Sequence, residues 1–283
     1  MLPPADPLPR ELQDAFDTVR ARLGRLGTSW RYYATVGSTS DVATLLASGS
    51  GASPASAAEG AVVIADAQTA GRGRRGRSWF SPPGSGLYIS TVLTPGNATS
   101  PERATSLLTL AAGVALAEAI EYVSGLAAPI KWPNDLLVGR RKLAGILAEG
   151  LAQDPAAGVG PVVVGYGINI GRMSVPADLL DRTTSLESEL GRQIDRAAIA
   201  AESLAALAAR YDDLLAGRFD AILDAWRRRS PSSVGTRVTW LPGGPMTGTL
   251  SGVTAGIDET GALLVRSARA THRVLAGELT WEI

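Results

Sequence analysis

A run of seven residues, Gly71-Arg-Gly-Arg-Arg-Gly-Arg77, follows the strand-like stretch Ala61-Val-Val-Ile-Ala65 and limits the folds open to this 283-residue chain. Its letters satisfy G-x-G-x-x-G, the dinucleotide fingerprint, but that motif needs a helix to follow at once so that the pyrophosphate meets a helix N-terminus. Here the chain continues Ser78-Trp-Phe-Ser-Pro-Pro-Gly84, which is turn chemistry. A doubly wound dinucleotide fold is therefore excluded. With no G-x-x-x-x-G-K-[ST] anywhere, a P-loop is excluded too. What remains is a flexible loop. Its glycines let backbone N–H groups approach a ligand, and its arginines supply forked donors for phosphate or carboxylate. Trp79 and Phe80 add an aromatic face, a pairing suited to an adenine nucleotide. A solvated basic hairpin tip and an RNA-binding Arg/Gly box are the competing readings of the loop by itself.

Side-chain chemistry is restricted as strongly. With no cysteine there is no disulfide, thiolate nucleophile or Cys-ligated metal. With His272 as the single histidine there is no His-x-x-x-His zinc site, and any Ser-His-Asp arrangement would hang on that one residue. Lys+Arg and Asp+Glu both number 27, and this balance argues against generic nucleic-acid or membrane-surface binding. The 45% apolar content supports one large domain, or one plus a small companion. Residues 1–9 lack the basic-then-apolar order of a secretory signal, and their four prolines suggest a loose tail. The most apolar stretch, 107–120, is shorter than the ~20 residues a membrane helix needs. A cytoplasmic location without membrane association is the expectation.

Periodicity organises the rest. Leu12, Phe16, Val19, Leu23 and Leu26 share one helical face over 10–26, with Gly27 as the stop. Strands are expected over 30–36, 61–65, 86–93, 129–132, 142–149 and 159–170. Helices are expected over 41–47 (Ser40 as N-cap), from Ser100-Pro101 to about Tyr122, over 194–216 and over 218–229. Residues 48–60 read as a loop. Beyond Ser230-Pro231 the helical period disappears, and short β-like runs (237–241, 247–253, 262–266, 271–275) suggest an appended small barrel.

Three further clusters carry chemistry. Lys131-Trp-Pro-Asn-Asp135 ends a strand with turn residues, where a carboxylate could hold magnesium or anchor a basic side chain. Lys142 begins the apolar run Lys142-Leu-Ala-Gly-Ile-Leu147, which implies an anionic partner unless it sits at an exposed strand start. Gly165-Tyr-Gly-Ile-Asn169 ends a Val-rich strand with glycines against which something can press, and with an amide able to pair with a base edge.

In this order, with Gly37-Ser-Thr39 and Gln68 upstream, the clusters make the chain resemble the biotin protein ligases from about residue 29 to the end. Residues 256–264 resemble that family's C-terminal barrel. The resemblance implies an α/β (α+β) fold, with a class II aminoacyl-tRNA synthetase-like catalytic domain over 29–230 and an SH3-like β-barrel over 231–283. A tail and helix occupy 1–28. It implies that biotin and MgATP give biotinyl-5′-AMP and pyrophosphate, and that a lysine of a biotin carboxyl carrier protein, of an acetyl-CoA, acyl-CoA or pyruvate carboxylase, then takes the biotin. By position, Ser38, Thr39, Ser40, Gln68, Gly71, Arg72, Gly73, Arg74, Lys142 and Gly145 would bind biotin. Arg72, Arg74, Arg77, Trp79, Lys131, Asn134, Lys142 and Asn169 would bind ATP or the adenylate. Arg74, Lys142 and Asp135 would be catalytic, Asp135 positioning the acceptor lysine or the metal, with Mg2+ arriving on ATP rather than as a resident metal.

Three departures from the family pattern stand out. Ser40 replaces an expected Asn, Tyr166 is bulky between two glycines, and 171–182 offers Met173, Val175 or Pro176 rather than an aromatic to cover adenine. One helix before residue 29 is too few for a helix-turn-helix, so no DNA binding or repressor activity is expected. Two rival functions remain: a lipoate or octanoate ligase on the same fold, and a non-enzymatic RNA-binding protein.

Overall fold

The computed structural model describes residues 2–49, 58–151, 158–172, 175–241, 248–275 and 279–282. Seven strands make the main sheet: β1 (Ser29–Val36), β2 (Ala61–Gln68), β3 (Gly86–Leu93), β4 (Ile130–Lys131), β5 (Asp135–Val138), β6 (Arg141–Gly150) and β7 (Val162–Asn169). Their order is β1-β2-β3-β7-β6-β5-β4. Only β1 and β2 run parallel; the other neighbours are antiparallel.

Val- and Ile-rich strands buried on both faces demand cover on both sides. On one face lies α2 (Thr39–Ala47), over a small cluster of Val42, Ala43, Val63, Ala65 and Val163. The other face carries α1 (Arg10–Val19), α3 (Pro101–Ser124), α5 (Arg196–Leu215) and α6 (Phe219–Arg229), packed over Ile64, Ile89, Val164 and Ile168. A short α4 (Leu186–Leu190) follows the sheet. Helix α3, at 24 residues, is long and apolar enough to cross a membrane. It is instead the central core helix, with Leu107, Val114 and Ile120 fully buried.

The chain after α6 forms a second antiparallel sheet from β8 (Val234–Trp240), β9 (Leu250–Ile257), β10 (Leu263–Arg266), β11 (Thr271–Val274) and β12 (Leu279–Glu282), in the order β11-β10-β9-β8-β12. The run anticipated from Thr247 begins at Leu250; Thr247 itself, like most of loop 48–60, lies outside the described residues.

Several boundaries differ from the sequence reading. The first helix ends at Val19 and tightens into a 3-10 turn, because Gly24 and Gly27 take left-handed φ values of 53° and 82°. Leu23 and Leu26 are buried all the same. Ser38, not Ser40, is the N-cap of α2, so Ser40 falls inside its first turn. The sequence reading missed β5, α4 and β12. It took Asp135 as turn chemistry, but the strand pairing of β5 with β6 begins there. Nor is the proline-rich tail loose. Asp6 stands between prolines and keeps its N–H, which donates to Tyr32 O at 2.8 Å, while its carboxylate accepts from Ala34 N at 2.8 Å.

Tyr166 shows how alternation places side chains. It points to the helix side of β7, where its hydroxyl meets Ser203 of α5 at 2.9 Å, and burial pushes its pKa well above the ordinary tyrosine value. Tyr166→Phe is expected to cost about 1 kcal/mol in urea unfolding. Any ligand site on the opposite face of the sheet should be unaffected.

Candidate active site

The site begins where side chains are missing. Gly165 and Gly167 alternate with Tyr166 and so face away from the helix layer, and Gly145 of β6 is the register partner of Gly167. A Cβ on Gly167 would stand 2.5 Å from Trp79 Nε1, and one on Gly145 would stand 2.8 Å from the Trp79 ring. The indole therefore lies flat on a two-glycine step of the sheet. Gly165 leaves room in the same way for Ser40, whose Oγ a Cβ there would meet at 2.6 Å.

The loop that delivers Trp79 is a hairpin. Trp79 N donates to Gly71 O at 2.8 Å and Gly73 N to Arg77 O at 2.7 Å. Arg75 and Gly76, with φ of 60° and 72°, turn its tip. Within it the arginines divide. Arg75 is exposed. Arg72 reaches across to Asp41 of α2 at 2.8 Å and to Glu149 of β6. Arg74 turns inward and donates to Asn134 Oδ1 at 3.1 Å. Burial lowers the Arg74 pKa, with Arg75 adding to the effect and Asp135 opposing it; arginine starts so high that the group stays a cation.

A small cavity of about 50 Å³ lies beneath this loop, lined by Thr39, Ser40, Gln68, Arg74, Ser90 and Gly165, among others. Its polar wall is one network. Gln68 Oε1 accepts from Thr39 N and Oγ1 at 2.9 and 3.1 Å, and Gln68 Nε2 donates to Ser81 Oγ at 2.9 Å. Ser90 joins Thr39 and Ser40. Ser38 Oγ is buried with no hydrogen-bond partner among the described residues.

On the far side of Trp79 a larger cavity of about 490 Å³ is ringed by Arg77, Lys131, Arg140, Lys142 and Arg182, with Phe80, Val175 and Leu179 as apolar walls. Lys142 borders both cavities. Its ammonium makes the anionic contact anticipated for it, 2.7 Å from Asp135 Oδ1, and lies 5.0 Å from the Trp79 ring centre. A half-buried charged strand residue is tolerated because it is paired.

Two other anticipated ligand contacts are engaged within the protein. Asn169 Nδ2 donates to Thr184 O at 3.0 Å and to Lys142 O at 3.4 Å, which straps segment 182–184 onto β6. Asn134 Nδ2 donates to Ile146 O at 2.8 Å, and its Oδ1 seats Arg74. Lys131 stands 5.7 Å from the Trp281 ring centre. Met173 lies outside the described residues. The sequence reading missed Ser81, Ser90, Asp41, Glu149, Arg140 and Arg182. Of these only Ser90 left a signal, as a polar residue in an apolar strand. Among the described residues no three His, Cys, Asp or Glu side chains gather to hold a metal ion.

Gly167→Ala tests the step. The strand backbone tolerates alanine, so thermal stability should change little. The displaced Trp79 should alter the near-ultraviolet circular dichroism.

Comparison with known proteins shows the family of the chain. Residues 49–169 match the family model described as the Biotin/lipoate A/B protein ligase family. A biotin–[acetyl-CoA-carboxylase] ligase of Mycobacterium tuberculosis is 34% identical over 270 residues, which is 93% of each chain. The bifunctional ligase/repressor BirA of Bacillus subtilis is 36% identical over 225 residues, 79% of this chain, and the match spans only 66% of that longer relative. A biotin protein ligase from Aquifex aeolicus, solved in complex with biotin and ATP, superposes with a TM-score of 0.73 at 27% identity, over 90% of this chain and 99% of that one. The chain belongs to the biotin protein ligase family.

Proposed function

We propose that this protein is an ATP-dependent, AMP-forming ligase that activates biotin and transfers it to a lysine of a biotin carboxyl carrier protein. One observation carries the reading. A small cavity walled by hydroxyls and an amide meets a larger one ringed by cations, and Lys142, Asp135 and Trp79 stand at the junction beside Arg74. A neutral ureido group with a short acid tail suits the first, a nucleotide triphosphate the second, and the carboxylate would meet the α-phosphate between them.

In the first step a biotin carboxylate oxygen bonds to the α-phosphorus as the bond to the pyrophosphate bridging oxygen breaks, and pyrophosphate leaves. In the second, the carrier lysine amine bonds to the acyl carbon, AMP leaves, and the amine loses a proton. Neither step needs a protein nucleophile; both build negative charge that Arg74 and Lys142 are placed to stabilise. Thr39, Ser40 and Gln68, with the unpartnered Ser38 hydroxyl, would hold the ureido end, and the backbone of Gly71–Gly73 the tail. Trp79 would cover the adenylate, with Val175 as the apolar wall opposite. Asp135 would set the Lys142 ammonium and lie near Mg2+ brought by ATP. Asn169 and Asn134 would act by holding backbone and Arg74 in place.

The reading divides the chain into residues 1–28, a catalytic domain over 29–230 and a small β-domain over 231–283. Carriers of acetyl-CoA, acyl-CoA or pyruvate carboxylases are the partners it names, and the cytoplasm is the location. The face of α1 bearing Leu12, Phe16 and Val19 is buried, which supports a structural helix rather than a DNA reader.

The test is incubation with labelled ATP and biotin, expecting biotinyl-AMP, pyrophosphate and labelled carrier domain. Activation of lipoate or octanoate in place of biotin would overturn it. Lys142→Ala and Arg74→Ala should each slow adenylation by about 10²–10³, with unchanged melting temperature. The 71–77 hairpin covers the small cavity, and a glycine-rich cover of this kind orders over a bound ligand. Biotin with ATP should therefore slow tryptic cleavage at its arginines.

A further inference from the structure

The stretch that leads to Asn134 has little support of its own, although Asp135 beyond it is paired in β5. β4 is two residues long, and Trp132, Pro133 and Asn134 lie between β4 and β5 without strand pairing. Within the main sheet, the backbone of this stretch is tied chiefly by Ile146 N donating to Asn134 O at 2.9 Å. Yet Asn134 fixes Arg74, and Asp135 fixes Lys142.

The support comes from the second sheet. Trp132 is 3% exposed, and its indole Nε1–H donates to Gly261 O at 3.0 Å, across 129 positions of sequence. Gly261 is itself held hard. Its φ is 81°, and a Cβ on it would stand 2.7 Å from Leu110 Cδ1 of α3. Around it the 258–262 turn closes on one carboxylate. Asp258 Oδ1 accepts from Thr260 N at 2.9 Å, Thr260 Oγ1 at 2.8 Å and Ala262 N at 3.0 Å, and Oδ2 accepts from Arg273 at 2.6 Å. Burial works to raise the Asp258 pKa, but these donors outweigh it and hold the carboxyl below its ordinary value. Arg103 of α3 reaches Glu259 O at 3.3 Å, anchoring the same turn a second time.

We propose that Trp132 is a positioning residue: its hydrogen bond to the Gly261 carbonyl transmits the seat of the 258–262 turn to Asn134 and Asp135, and so aims Arg74 and Lys142 at the reacting phosphate. The indole touches no reacting atom. It sets the height of a short unpaired stretch that ends at Asn134 and leads into Asp135, and small misplacements of such groups lower rate more than affinity. The inference rests on the ligase reading for its rate effect but not for the bond itself.

The experiment uses the full chain and Trp132→Phe, which keeps an aromatic ring in the pocket while removing the N–H donor and part of the ring volume. Biotinyl-AMP formation is measured per active site, counted by the burst of adenylate. Expected is a kcat about tenfold to a hundredfold lower, with the KM for biotin within about twofold and the burst stoichiometry retained. Asp258→Ala, which loosens the turn from the other end, should lower kcat similarly, and the double variant should fall no further than the worse single. Hydrogen exchange at the Trp132 indole, followed by nitrogen-15 NMR, should be slow in the parent and fast in Asp258→Ala, whether or not biotin is the acid activated. A parent that makes no adenylate but shows this exchange change refutes the ligase reading alone. Unchanged kcat in Trp132→Phe, additive effects in the double variant, or an indole that exchanges equally fast in parent and Asp258→Ala would overturn the latch.

Discussion

The architecture of the site depends on one constraint, the absence of two side chains at a single rung of the sheet. Gly145 and Gly167 are register partners, and Trp79 rests where their Cβ atoms would be. A β-branched residue at either position would lift the indole, and with it the hairpin that Gly71 O and Trp79 N close. Arg72 and Arg74 ride on that hairpin, and Lys142 lies against the indole from the other side. An aromatic ring on a glycine step thus fixes where the two cavities divide.

Charge is placed by pairing rather than by abundance. The chain is neutral overall, yet Arg77, Lys131, Arg140, Lys142 and Arg182 surround one cavity. Inside the site Arg74 and Lys142 each have an oxygen partner at short range, Asn134 and Asp135, while the exposed Arg72 ties the hairpin to Asp41 and Glu149. Such partners hold long side chains in one rotamer, the preorganisation that the proposed phosphoryl and acyl transfer would use. This explains why the protein manages with no cysteine and one histidine. His272, in the second sheet, bonds Ser267 and packs edge-on against Trp240, remote from any of this.

The two sheets are less independent than the change of texture at Ser230-Pro231 suggests. The second sheet contributes a backbone carbonyl to Trp132 and an aromatic ring to Lys131, both in the run that carries Asn134 and Asp135. The β-domain therefore reaches the site through its wall, and its Glu259, Gly261 and Arg273 line a further cavity with Arg74.

Much of this was legible from residues alone. The Val/Ile-rich strands, the long apolar α3 and the four clusters gave element types, their order and the residues that converge, because hydrophobic period and glycine or arginine content are local properties. The strand at Asp135 was hidden, since four residues after a Pro-Asn pair carry no period of their own and become a strand only by pairing with β6. Asn134 and Asn169 read as ligand groups, and both line the cavities, but an amide's partners cannot be inferred from its identity; tertiary packing also gave them Ile146, Arg74, Lys142 and Thr184. Tyr166 looked obstructive between its glycines until alternation put it on the helix side. The sequence by itself therefore determined the chemistry available and the family. Tertiary structure alone decided which donors are already satisfied and which face the cavity, because hydrogen bonds and ion pairs join residues up to 180 positions apart that no local pattern connects.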